Sequence, residues 1–215
     1  AIDNQVYYAR YEAAKYTATF YIDSTKAEIH DTYEGAYQSV IPAPATPVKE
    51  GYTFKHWSQE GKTTKVNFTA TAPKMPVNGI NYVGQWTVNS YDIVYYVDGT
   101  EVYRETYTYG AAVTPWNYTP AAGETFTGWT TAIPETMPAN EVSIYGSTGT
   151  AVYNATFTIN GEVYKVVPVE YNAAITVPAY EVPAGHTFSG WNVPATMPAG
   201  DQTYDATLTA NTYNA

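Results

Sequence analysis

A short aromatic phrase occurs three times in this chain, as Phe54-Lys55-His56-Trp57, Phe126-Thr127-Gly128-Trp129 and Phe188-Ser189-Gly190-Trp191. Each copy follows a threonine and precedes a Met-Pro pair, at Met75-Pro76, Met137-Pro138 and Met197-Pro198, and these are the only methionines in the sequence. Residues that recur at one place per copy mark a tandem array, in which each unit buries a small core of its own and leans on its neighbours. Such an array tilts the reading away from catalysis. An active site is a single asymmetric constellation, whereas copied units serve as spacers, scaffolds or multivalent binders.

The second unit opens with the β-prone run Tyr91–Val97, turns at Asp98-Gly99 and returns through Val102–Tyr107. Asp-Gly between such runs suits a two-residue type I′ turn, because both turn positions need positive φ. Asn160-Gly161 repeats the device in the third unit, between Tyr153–Ile159 and Val163–Val167. In the first unit Tyr16–Ile22 runs into Asp23-Ser24-Thr25-Lys26, which predicts a longer turn before Ile29. A landmark then follows each hairpin: Tyr109-Gly110-Ala111, Tyr171-Asn172-Ala173 and, more loosely, Glu34-Gly35-Ala36. Gly and Asn are the residues that enter the left-handed region most readily, so their exchange points to a backbone requirement.

Proline-rich passages come next, at 42–47, 115–120 and 178–183, too dense in proline for a helix or a central strand, and they read as extended crossovers. Final strands are expected over 81–87, 142–147 and 202–209, which leaves little or no helix to place. Phe and Trp of each phrase stand three apart, which a regular strand does not put on one face, so one of the two belongs at a strand end or a bulge. Phe54, Trp57, Met75, Phe126, Trp129, Met137, Phe188, Trp191 and Met197 are therefore expected as the structural anchors of the repeats. Tryptophans lining sugar sites are the alternative, and that reading needs exposed indoles.

Gly51-Tyr52-Thr53-Phe54-Lys55-His56-Trp57, the run Tyr16-Thr17-Ala18-Thr19-Phe20-Tyr21, the Tyr-Gly after the hairpin and the Met-Pro-Ala segment before the final strand together resemble the Listeria/Bacteroides cell-surface repeat, the family of the internalin B B repeat. The resemblance covers essentially the whole chain. It implies a mainly β fold of three small β-grasp-like modules in tandem, of the kind found on surface proteins of Gram-positive and gut bacteria, with no catalytic residues to carry over. Lys55-His56 departs from the family's Thr-Gly, and an insertion at about 58–74 lengthens the first copy. The expected divisions are 1–14 as the last strand of a preceding repeat, 15–88, 89–150 and 151–210 as three repeats, and 211–215 as the start of a following one.

With ten Lys+Arg against twenty Asp+Glu the formal charge is −10, which argues against nucleic acid and anionic membrane as partners. No stretch approaches the roughly 20 apolar residues of a membrane span, so no membrane insertion is expected. Cysteine is absent, and His30, His56 and His186 fall at non-equivalent places in the repeats. Neither a His-Glu-x-x-His nor a Gly-x-Ser-x-Gly segment occurs, nor an acidic calcium loop, so no enzyme activity, metal or cofactor is expected. Asn67, Asn117 and Asn154 head Asn-x-Ser/Thr triplets at different repeat positions and read as chance. Lys62, Lys65 and Lys74 make the first unit's insertion locally basic, as a solvated loop would be.

The 23 tyrosines divide the functional reading. Tyrosine is a good strand former, and neighbours such as Tyr7/Tyr8 and Tyr95/Tyr96 place one ring on each face of a strand. On that view the chain is an extracellular stalk or adhesion segment at a bacterial cell wall, a monomeric rod whose reach is set by short linkers at 87–90 and 148–152. On the other view exposed Tyr and Trp bind host glycan or an extracellular protein, gaining by multivalency.

Overall fold

The structure is a computed structural model and describes residues 5–212. Every regular element among them is a strand. The first repeat contributes β1 (Lys15–Tyr21), β2 (Ile29–Ala36), β3 (Tyr52–Gln59) and β4 (Ile80–Val88). The second contributes β5 (Ser90–Val97), β6 (Thr100–Thr108), β7 (Glu124–Trp129) and β8 (Val142–Thr150). The third contributes β9 (Val152–Ile159), β10 (Glu162–Glu170), β11 (His186–Phe188), β12 (Gln202–Ala206) and β13 (Leu208–Ala210). By packing, the described chain falls into two compact units. One holds the residues up to Asp92 with Thr106–Val113 and Pro134–Glu141, and the other holds Ile93–Glu105, Thr114–Ile133 and the residues from Val142 onward.

The strand order is β2-β1-β4-β3 in one sheet and β6-β5-β8-β7 in another. In both, the first and last strands of the repeat lie side by side and parallel, Phe20 opposite Tyr82 and Tyr95 opposite Ile144. The third repeat keeps the order but divides it into β10-β9-β12 and β11-β13, because its last strand breaks at Thr207 instead of running unbroken over 202–209 as the sequence suggests. There Ser189 intervenes: its hydroxyl accepts the Thr207 N–H at 2.8 Å and its own N–H donates to the Thr207 carbonyl at 2.9 Å.

Local residues explain the turns. Asp98 and Gly99 have φ of 50° and 80°, and Asn160 and Gly161 have φ of 50° and 84°, the double positive φ of a type I′ turn. In each turn the first side chain also reaches the last strand of its repeat. Asp98 accepts from the Thr148 hydroxyl at 2.7 Å, while Asn160 both accepts from the Leu208 N–H and donates to its carbonyl at 3.0 Å.

A crossover joins the two edge strands of each repeat, over 37–51, 109–123 and 171–185, and all three begin with Tyr and end with Gly. Its start is pinned by the methionine backbone. Gln38, Gly110 and Asn172 donate their N–H groups to the carbonyls of Met75, Met137 and Met197 at 2.9, 2.8 and 2.9 Å. The methionine N–H groups return bonds to the carbonyls of Ser39, Ala111 and Ala173 at 2.8, 2.9 and 2.9 Å. Gln38, Gly110 and Asn172 all sit in the left-handed region, with φ of 64°, 74° and 62°. The landmark of the first repeat is therefore Tyr37-Gln38-Ser39; the sequence-based pairing with Glu34-Gly35-Ala36 is three residues early, because Gly35 lies inside β2.

Each core sits beneath the parallel pair. In the first repeat Ala18, Phe20, Ile41, Trp57, Met75 and Tyr82 are buried together, and in the third Ala155, Phe157, Val169 and Met197. Tyr95 and Met137 are likewise sealed in the second. The Tyr82 hydroxyl is buried without a hydrogen-bond partner, and burial pushes its pKa up to about 12. Ile144 takes the matching register position in the second sheet, so the packing there uses the apolar body of the residue and not the hydroxyl.

Residues 5–14, expected to belong to the last strand of a preceding repeat, pair with no strand of this chain, and Tyr7 and Tyr8 are both open to solvent. The stretch 213–215, read as the opening of a following repeat, lies outside the described residues, as do residues 1–4.

Met197→Ala is expected to cost about 2–5 kcal/mol in urea denaturation, since a sealed side chain leaves a cavity, and Met197→Leu less than about 1.5 kcal/mol because volume is kept. Equal, small losses for the two would show that the methionine packing is dispensable.

Candidate functional site

The aromatic phrases lie where the strand ladder is irregular. The β3/β4 register shifts between Phe54 and His56, the β7/β8 register shifts between Phe126 and Trp129, and β11 ends at Phe188 before Trp191 is reached. The irregularity turns both rings of a phrase to one side, where they touch with centroids 5.3, 4.7 and 4.8 Å apart. Each indole then packs on the aromatic ring of its repeat's first strand: Trp57 on Phe20 at 5.3 Å, Trp129 on Tyr95 at 5.0 Å and Trp191 on Phe157 at 5.3 Å. Trp57 is buried, whereas Phe54, Phe126, Phe188, Trp129 and Trp191 are half-buried. Met75, Met137 and Met197 are fully enclosed.

Half-buried and exposed rings make two surface platforms. Tyr103 stacks on Trp116 with centroids 4.7 Å apart and planes 13° from parallel, and Tyr164 stacks on Trp191 at 5.5 Å and 24°. Trp116 lies in a crossover and carries no signal of the repeated phrase, so sequence reasoning passed over it. In the first repeat the insertion supplies Phe68, which joins Phe54 and Trp57 beneath a shallow groove edged by Lys55, His56 and Lys65. Ser58 and Gln59, where the insertion is expected to begin, complete β3.

The most regular construction joins one repeat to the next. A single residue separates β4 from β5 and β8 from β9, namely Asn89 and Ala151. Asn89 donates its N–H to the Gly51 carbonyl at 2.8 Å and accepts from the Tyr109 N–H at 2.9 Å; Ala151 does the same with Gly123 and Tyr171, at 2.9 Å in both bonds. Gly51 and Gly123 close their crossovers at φ of 74° and 86°, and Tyr109 and Tyr171 open the crossovers that follow. The tyrosine ring covers the glycine so closely that a Cβ on Gly51 would lie 2.2 Å from Tyr109 and one on Gly123 would lie 2.3 Å from Tyr171. Each such junction is internal to one compact unit. The pairing was open to the sequence, because each crossover starts with Tyr and ends with Gly, but it joins residues of different repeats and so escapes a reading made copy by copy.

Charged groups serve the hairpins. Lys49 bonds Asp23 at 2.7 Å, and together with the Thr25 hydroxyl it holds the Asp23 carboxyl at about 2. The Asp205 carboxylate accepts from the Thr158 hydroxyl at 2.6 Å and the Gly161 N–H at 3.1 Å, which lowers its pKa from the ordinary value. Among the described residues no three His, Cys, Asp or Glu side chains gather as a metal-binding group would require, and no helix is long and apolar enough to cross a membrane.

The chain belongs to the Listeria-Bacteroides repeat domain family, whose model matches residues 16–80 and 153–214. The second repeat lies between the two matches and has the same strand order as the first. The chain is similar to a protein named as a membrane protein in Evansella cellulosilytica, 28% identical over 86% of this chain and 29% of the relative. It is also similar to Internalin H of Listeria monocytogenes, 31% identical over 60% of this chain and 24% of the relative. A second protein from Evansella cellulosilytica, named as a Gly-rich membrane protein, is 28% identical over 88% of this chain and 24% of the relative. The chain spans about a quarter of the length of these curated relatives.

The junction makes a sharp contrast between glycines. Gly185→Ala is expected to cost only the roughly 1–2 kcal/mol of placing a Cβ in the left-handed region, since no described atom lies within 4 Å of that Cβ. Gly123→Ala should cost more, and the excess should vanish in a Tyr171→Ala background, giving a coupling of about 0.5–3 kcal/mol in a double-mutant cycle. Identical costs at the two glycines would refute the close packing.

Proposed function

We propose that the chain is a run of three repeats, 15–88, 89–150 and 151–210, serving as a stalk or adhesion segment of a bacterial cell-surface protein, outside the cell and against its wall. The observation that carries this reading is the junction made twice in the same way, through one linking residue, two backbone hydrogen bonds and a tyrosine set on a glycine. A connection of that kind limits the freedom of one repeat against the next, which is what a spacer needs and a flexible tether lacks. The work is mechanical: each repeat adds length, each junction ties one repeat to the next, and the chain acts as a monomer. Membership of a repeat family and likeness to proteins named as an internalin and as membrane proteins support a surface location. In this reading the chain is not an enzyme and uses no cofactor.

A second reading has a specific observation behind it. The stacked Tyr103–Trp116 and Tyr164–Trp191 pairs recur in two repeats and stay partly exposed, as a weak multivalent binder of glycan or host protein would require. The chain should be screened against a glycan array and a panel of extracellular-matrix proteins. As a spacer it gives no saturable binding. Saturable binding that Trp116→Ala removes from a normally folded chain would replace the spacer with the adhesin.

A further inference from the structure

The geometry points to the end of the third repeat as a receiving site for a further repeat of the same kind, with Gly185 as the seat for a tyrosine ring and the Asn211 carbonyl as acceptor for that tyrosine's N–H. This goes beyond the choice between spacer and binder and holds under either.

Two features of both complete junctions, and a third found at the first of them, are already present there. Gly185 closes its crossover at φ of 77°, beside 74° at Gly51 and 86° at Gly123. Asn211 donates its N–H to the Gly185 carbonyl at 2.8 Å, as Asn89 does to Gly51 at 2.8 Å and Ala151 to Gly123 at 2.9 Å. The Thr187 hydroxyl donates to the Asn211 side-chain oxygen at 2.6 Å, which repeats the 2.6 Å bond from Thr53 to Asn89.

What differs is the cover over the glycine. Gly51 and Gly123 are buried under Tyr109 and Tyr171, while Gly185 is exposed and no described atom lies within 4 Å of its Cβ position. The linking residue's carbonyl is fixed by the same backbone bond that orients Asn89 and Ala151 toward a tyrosine N–H.

The occupant follows from that chemistry. It must present a tyrosine at the head of an extended crossover, with its N–H free for a carbonyl, and it must arrive in covalent register so that a small contact gains from high effective concentration. Another repeat of this family satisfies all three. The plug half is displayed by this chain itself: Tyr37 heads the first crossover and is 56% exposed, in the place where Tyr109 and Tyr171 are half-buried. The sequence Tyr213-Asn214-Ala215 also matches Tyr153-Asn154-Ala155, which sets the phase for such an addition.

The test is proton NMR, because an aromatic ring over a glycine shifts its α-protons upfield. In the chain as it stands, Gly51 and Gly123 should show that shift and Gly185 should not. The full chain is then extended after Ala215 by an in-phase copy of residues 156–212. Gly185 should move upfield to match the other two, and changing the appended counterpart of Tyr171 to Ala should return it to its starting position. The proposal is overturned if Gly185 stays put while the appended repeat folds, or if a copy of a sequence already folded in this chain fails to fold when joined there. Neither result bears on ligand binding, so the array screen judges the spacer reading separately.

Discussion

The parallel pairing of first and last strands at the centre of each repeat is the constraint from which the rest of the structure follows. Antiparallel neighbours can be joined by a two-residue turn, but a parallel pair demands a crossover, which in most folds is a helix that satisfies its own backbone. Here the crossing is an extended, proline-bearing segment whose N–H and C=O groups have no helix to pair them. The methionine backbone supplies the missing partners. It accepts from one residue at the head of the crossover and donates to the carbonyl of the next. Only a left-handed residue lets the chain turn into that double bond, so Gly110, Asn172 and Gln38 share a conformation that their side chains do not.

Once the crossover is held, the core can be small. The methionine side chain lies wholly inside while its backbone does the pairing, and an unbranched thioether fits an irregular space better than a branched residue would. The Phe-x-x-Trp phrase completes the arrangement. A bulge or strand end between the two rings brings them to the same side, and the indole then meets the ring on the first strand. Three sequences with different intervening residues reach the same contact within a few tenths of an ångström.

Much of this was legible in the chain itself. The Asp98-Gly99 and Asn160-Gly161 turns, the all-β character and the irregular strand between Phe and Trp follow from rules about φ and side-chain alternation that act over a few residues. What stayed hidden depended on partners far along the chain. Gln38 is not a residue that advertises a left-handed turn, so the sequence points to Gly35 as the first repeat's landmark instead. Thr207 looks like any strand residue, and only the Ser189 bonds across it show why the last strand breaks. The platform residue Trp116 and the Tyr-on-Gly junctions were missed because they involve positions outside the phrase or in two different repeats.

The junctions grow from the same crossovers, whose first residue is the plug and whose last is the seat, so the device that closes one repeat also ties it to its neighbour. The methionine clamp is thus the central claim, and amide hydrogen exchange tests it most directly. Gln38, Gly110 and Asn172 belong to exposed residues, yet their N–H groups should exchange as slowly as those of Phe20, Tyr95 and Phe157 in the buried strands. Exchange at the rate of a freely solvated loop would mean that the crossover is not held by methionine, and the account would fail.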